Sequence, residues 1–289
     1  MIDFIKLDIS TLDKVGLLDN PIFDYELTFS SQTGAVRKNK AKWKGLEVLA
    51  IEQNKRTGKE SNYKNISGSL HKNYNKIFNK VLHNANDYSP YDVRASIDLL
   101  VDTFGAEVLN ARIESLEFGV NLHIETSPTD LLIHNVHSHK FKFPDDRNFD
   151  GKGKEYDFNH FDYKLKVYDK GRNFDLDENI LRFEVKSHKS RMFNKLGIFV
   201  LADLLKDEVY LHLKSHLIKR FRELVVVDSQ SLPSHARTIE KEFYYKGQTE
   251  SHWLMYDTQD KLRYYKTKFK DLITKYELDS VKNALVSKL

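Results

Sequence analysis

Apolar and polar residues alternate with a period of two along several stretches of the first 190 residues. In a long stretch from about Arg112 to Ile124, Leu116, Phe118, Val120, Leu122 and Ile124 fall on one side, against Glu117, Gly119, Asn121 and His123. Tyr163, Leu165 and Val167 oppose Lys164, Lys166, Tyr168 and Lys170; Leu181, Phe183 and Val185 oppose Arg182, Glu184, Lys186 and His188. Successive side chains of a strand point to opposite faces, so each segment is predicted to be a strand with one core face and one polar face. Shorter strands are expected over 25–29, 46–52 and 66–71, the last ending at His71, with a turn near Gln32-Thr33-Gly34. Ser89-Pro90 signals a helix start, and Val93, Ile97, Leu100, Val101 and Phe104 share one helical face before Gly105. Gly171 and the acidic stretch from Phe174 to Ile180 join the last two long strands as a hairpin. Beyond about residue 190 the periodicity is helical, first over Ile198–Leu205 and Val209–Leu224, then again after Pro233. This order predicts an α+β fold, an antiparallel sheet with helices on one face over residues 1–195, followed by a helical C-terminal region over 196–289.

If the three long strands pair, their polar faces merge into a surface with the carboxylates of Glu117 and Glu184, several Lys and Arg, histidines and Tyr168. One reading is a solvated face whose opposite charges pair across strands. The other is a phosphodiester site, in which carboxylates and imidazoles hold a divalent cation while Lys and Arg hold phosphates. The whole-chain balance is only mildly basic: 46 Lys and Arg against 42 Asp and Glu, a formal net charge of +4. That permits a polyanionic partner without demanding one.

The absence of cysteine excludes disulfide scaffolds, thiolate zinc sites, iron–sulfur clusters and cysteine nucleophiles. No phosphate-binding or dinucleotide glycine motif is present, nor a G-x-S-x-G elbow. No apolar run approaches the roughly 20 residues that span a bilayer, and Met1–Lys6 does not open like a signal peptide, so a cytoplasmic protein with no membrane partner is expected. His134, His137 and His139 lie in one short segment read as a surface hairpin, with metal binding as the alternative. The stretch 261–270 interleaves five basic residues with three aromatics, which suits either a nucleic-acid surface or an amphipathic helix.

The segment Leu165-Lys166-Val167-Tyr168-Asp169-Lys170-Gly171, followed by Leu181-Arg182-Phe183-Glu184-Val185-Lys186, resembles a motif pair of the trans-acting rolling-circle replication initiators of plasmids and filamentous phages. Phe118-Gly119-Val120-Asn121-Leu122 is similar to their Gly-Val-Asp-Leu type strand. The resemblance covers about residues 60–190. It implies a relative of the two-histidine, RRM-like nicking fold and a tyrosine that attacks DNA. Two departures stand out. Asn121 replaces the family-like Asp, and no tyrosine lies between Arg182 and Val209, where the family places one.

The resulting expectation is a nickase that starts rolling-circle replication, with a non-catalytic origin-binding factor and a water-using metal nuclease as alternatives. Tyr210 is the expected nucleophile, because Lys214 one helical turn on would favour a phenolate. An ordinary interfacial tyrosine is the alternative there, and Tyr168 is the second candidate nucleophile. Mg²⁺ or Mn²⁺ is expected on Glu117, Glu184, His123 and His71, with DNA on Lys164, Lys166, Lys170, Arg182, Lys186, Lys189 and Arg191. The expected partner is single-stranded or extruded origin DNA; a host helicase and a second copy of the chain are further candidates.

Overall fold

The computed structural model describes residues 2–12, 14–31, 33–148 and 152–289, so Gln32 of the expected turn and part of the loop before Gly153 lie outside the described residues. Strands run over β1 (Ile2–Asp8), β2 (Tyr25–Phe29), β3 (Val36–Trp43), β4 (Leu46–Gln53), β5 (Glu60–Ser69), β6 (Arg112–His123), β7 (Val136–His139), β8 (Asp145–Asn148), β9 (Lys154–Asn159), β10 (Tyr163–Asp169), β11 (Ile180–Ser187) and β12 (Leu224–Val226). Ten of them hydrogen-bond in the order β2-β3-β4-β5-β1-β6-β11-β10-β9-β8, and β7 pairs with β12. The fold is α+β, with a large antiparallel sheet, helices and a helical C-terminal region. No helix among the described residues is long and apolar enough to cross a membrane.

Two compact units divide the chain: residues 1–119, 161–163 and 185–213 form one, and 120–160, 164–184 and 214–289 the other. The chain thus alternates between units several times, whereas the sequence pattern suggests one boundary after residue 195.

In the first unit β1 sits between β5 and β6, with Leu7 opposite Ile66 and Ile5 opposite Leu116. These side chains are fully buried, as are Val93, Ile97 and Leu100 of the helix Pro90–Phe104, the residues whose spacing predicted it. Ser89 caps that helix in a capping box with Asp92, and Gly105 ends it at φ 85°. Ser89→Ala removes an acceptor for the Asp92 N–H and is expected to lower stability by about 1 kcal/mol. A urea midpoint unchanged in Ser89→Ala would show that the cap carries no such weight. The strand expected over 66–71 is longer at its start and stops at Ser69, whose hydroxyl caps the helix Leu70–Tyr74, so His71 is helical. β3 escapes an apolar-period search because it reads Val-Arg-Lys-Asn-Lys-Ala-Lys-Trp; Asn39, Ala41 and Trp43 are its buried side.

In the second unit Leu165 of β10 faces Phe158 of β9, and Phe183 of β11 meets Phe221 of the helix Asp207–Arg222 edge to face at 4.9 Å. A separate core gathers Phe141, Val227, Tyr244, Trp253 and Phe269. Phe269 comes from the basic-aromatic stretch, which lies within the amphipathic helix Gln259–Lys275.

Candidate metal and phosphodiester site

The acids are positioned by three neighbouring strands. β1 and β6 slip register between Ile2, opposite Phe118, and Phe4, opposite Glu117. Asp3 is therefore the extra residue of a bulge, a device that re-aims a side chain. Its buried carboxylate accepts from the Ser69 hydroxyl and from the Asn84 amide at 2.6 Å. Glu117, buried on β6, pairs with the Lys186 ammonium at 3.2 Å. Glu184, buried on β11, accepts from Arg182 Nε at 3.1 Å, from Lys166 Nζ, and from the Tyr168 hydroxyl at 3.5 Å. Asp3 and Glu117 belong to the first unit and Glu184 to the second.

Part of the polar face is thus buried. Glu117, Arg182 and Glu184 are buried; Lys166 and Lys186 pair with acids of neighbouring strands, and Arg182 pairs with Glu184 along β11. Buried carboxylates persist when cations and hydrogen bonds offset their desolvation. An all-oxygen donor set suits Mg²⁺ or Mn²⁺, which take one or two carboxylates and keep several waters. Of the cationic partners Lys186 is the least buried, at 36 % against 19 % for Lys166 and 4 % for Arg182.

Neither predicted histidine joins these acids. His123 is exposed, with Nδ1 3.3 Å from Glu178. His71 is buried, with Nε2 3.0 Å from Asn86 Oδ1 and its ring stacked on Tyr88 at 4.5 Å.

Tyr210, the first-choice nucleophile, is buried, and its hydroxyl donates to the Leu204 carbonyl at 2.7 Å. Burial pushes its phenol well above the ordinary range, with Asp207 adding to the rise and Arg94 opposing it. That is opposite to the phenolate expected from Lys214, whose own side chain is exposed. Tyr168 is half-buried and lies opposite Glu155 of β9. Burial raises the Glu155 carboxyl above its usual range, Asp157 and Glu184 add to this, and Lys166 and Lys164 oppose it.

Among the expected DNA contacts, Lys164 is held by buried Asp157 at 3.0 Å, and Arg182 also donates to Asn121 Oδ1 at 3.1 Å. Asn121, standing where the family-like Asp would be, therefore steadies a guanidinium. Lys170 is fully buried: β10 ends at Asp169, which caps the turn Lys170–Asn173, so Lys170 leaves the strand's polar face and is not a surface phosphate contact. Lys189 and Arg191 lie beyond β11, against Phe161.

The histidine segment is not a surface hairpin. His134 ends the helix Pro128–His134, and β7 pairs with β12, placing His139 opposite Leu224. His139 is buried, with Nδ1 2.7 Å from His160 Nε2 and Nε2 3.4 Å from Glu223. Burial, reinforced by His160, pushes its imidazole down to about 3, and burial lowers His160 to about 4. These rings are neutral network members at ordinary pH.

Two site residues escape the period-two search. Asp3 lies in the apolar run Ile2-Asp3-Phe4-Ile5, where an acid inside a strand is itself a signal. Glu155 lies between the expected strands, with no apolar period to mark it.

No family model and no curated protein matches this sequence. Among solved structures, the chain is similar to one described as "Structure of Rolling Circle Replication Initiator Protein from Geobacillus stearothermophilus". The identity is 11 %, the match covers 86 % of this chain and 96 % of that one, and the TM-score is 0.39.

Proposed function

We propose that this chain binds origin DNA and starts rolling-circle replication by nicking one strand, with Tyr168 as the nucleophile. The observation that supports this reading is the buried Glu184 carboxylate, held by Arg182 and Lys166, with the Tyr168 hydroxyl facing it. β6, β10 and β11 carry Glu117, Tyr168 and Glu184 as well as the motifs that resemble the initiators.

In this reading the Tyr168 oxygen attacks a phosphodiester phosphorus and passes its proton to Glu184. The bond from phosphorus to the 3′ oxygen breaks, leaving a 5′-phosphotyrosyl link and a 3′ oxygen that takes a proton from water. Asp3, Glu117 and Glu184 would hold Mg²⁺ or Mn²⁺, which supplies positive charge against a phosphoryl oxygen. Lys186, released from Glu117, pairs with the scissile phosphate, and Arg182 keeps Glu184 oriented through the bond it already makes. Glu155, opposite Tyr168, is a second acceptor for the phenolic proton.

The test is incubation of the purified chain with supercoiled plasmid carrying its origin. The expected result is Mn²⁺- or Mg²⁺-dependent conversion to open circles, lowered by about 10²-fold or more in Glu117→Gln. Nicking of equal rate in chelator would remove the metal from the proposal. Burial of Tyr210 and the lack of a tyrosine from Arg182 to Val209 favour one second reading, a non-catalytic origin-binding factor. Its signature is origin binding without open circles.

A further inference from the structure

Phe161 stands at the turn between β9 and β10 with 74 % of its surface exposed, although it is a large apolar ring. The Lys189 ammonium sits 3.2 Å from its ring centroid, and the Arg191 guanidinium carbon 5.2 Å from it. Asp162 fixes this arrangement. Its carbonyl accepts the N–H of His188 at 2.8 Å and of Lys189 at 3.3 Å, and its carboxylate accepts Arg191 Nε at 2.8 Å and a second guanidinium nitrogen. A single residue beside the ring thus locks the segment that supplies both cations. Exposed apolar surface of this kind stabilises the fold little, since water still covers most of the ring.

The chemistry of the platform is specific. A flat π-face accepts any base by stacking; the Lys189 ammonium lies over one face of the Phe161 ring, so the base takes the other, and the cations attract the flanking phosphates. Paired bases are already stacked within a duplex and cannot lie on the ring. We propose that Phe161, Lys189 and Arg191 form a stacking subsite for one unpaired base of single-stranded DNA, with Phe161 holding the base and Lys189 and Arg191 the flanking phosphates. The proposal rests on the reading of single-stranded origin DNA as substrate and adds a contact outside the carboxylate cluster. Phe161 supplies the strand's hold, not its cleavage.

The experiment compares two fluorescein-labelled oligonucleotides of equal length by anisotropy. One is oligodeoxythymidine; the other is its fully abasic counterpart, with the same phosphates and no bases. Phe161→Ala is expected to weaken oligodeoxythymidine binding roughly 5- to 100-fold and to leave abasic binding unchanged. Lys189→Ala is expected to weaken both. Phe161→Trp should show indole fluorescence quenched by oligodeoxythymidine and not by the abasic strand. Phe161 is exposed, so these variants retain the core. Equal affinity of wild type and Phe161→Ala for oligodeoxythymidine overturns the subsite, as does a wild-type chain that binds neither strand. Origin nicking measured on the same preparations separates the two readings. Nicking with no Phe161 dependence of binding removes the subsite alone, whereas Phe161-dependent binding with no nicking upholds the subsite and removes the nicking chemistry.

Discussion

Glu184→Ala is expected to lower folding stability by about 3–5 kcal/mol, because it removes the carboxylate that both Arg182 and Lys166 face. The magnitude follows from burial. Glu184 is 1 % exposed, so the charge it neutralises on Arg182 has little water to turn to once the carboxylate is gone. An exposed ion pair would contribute only about 0–1 kcal/mol. The double variant Glu184→Ala with Arg182→Met removes both charges together and is expected to recover most of the loss, since the cost lies in stranding one partner. Urea unfolding of the wild type and the variants measures both quantities. A loss below about 1 kcal/mol for Glu184→Ala would mean that water reaches this network, and the argument from desolvation would fail. The same measurement guards the activity assays: a variant that unfolds at the assay temperature says nothing about metal binding.

The stability of this network bears on what sequence alone reveals. Period-two alternation located β6, β10 and β11 within a residue or two, because each has an apolar core face. It also predicted which residues share the opposite face: Glu184 with Arg182 and Lys166 with Tyr168. Exposure was not legible. Alternation separates two faces of a strand but does not say what covers the polar one, and here Arg182 and Glu184 are as buried as Phe183. Asp3 depends on a register slip between β1 and β6, a relation between segments more than 100 residues apart that no local pattern encodes. His71 and Lys170 illustrate a different failure. Both lie just past a strand end, where a capped helical turn begins, so continuing the alternation by one or two residues assigned them to the wrong face. The helix Pro90–Phe104 was legible because its start, its stop and its buried face are all local. Tyr210 was legible as a helical residue, but its hydroxyl partner, the Leu204 carbonyl, belongs to the preceding turn.

Tyr168→Phe is expected to abolish the covalent protein–DNA adduct, a loss of about 10³-fold or more, while Tyr210→Phe leaves it intact. The two tyrosines differ in what surrounds their oxygens. Tyr168 faces Glu184 at 3.5 Å and is only half-buried, so a proton acceptor lies beside its hydroxyl. Tyr210 gives its proton to a backbone carbonyl from a buried position, and burial disfavours the phenolate that attack requires. Removing the Tyr210 hydroxyl strands the Leu204 carbonyl, so its expected cost is about 1–3 kcal/mol of stability and not of chemistry. The readout is a labelled single-stranded origin oligonucleotide incubated with Mn²⁺ and resolved under denaturing conditions, where a shifted band marks the phosphotyrosyl link. An adduct lost in Tyr210→Phe and kept in Tyr168→Phe would return the nucleophile to the buried helix and require it to open. Cleavage that survives both changes and fails in Glu184→Gln would replace tyrosine with water as the attacking group, and the chain would then be a metal-dependent nuclease that leaves no protein on the DNA.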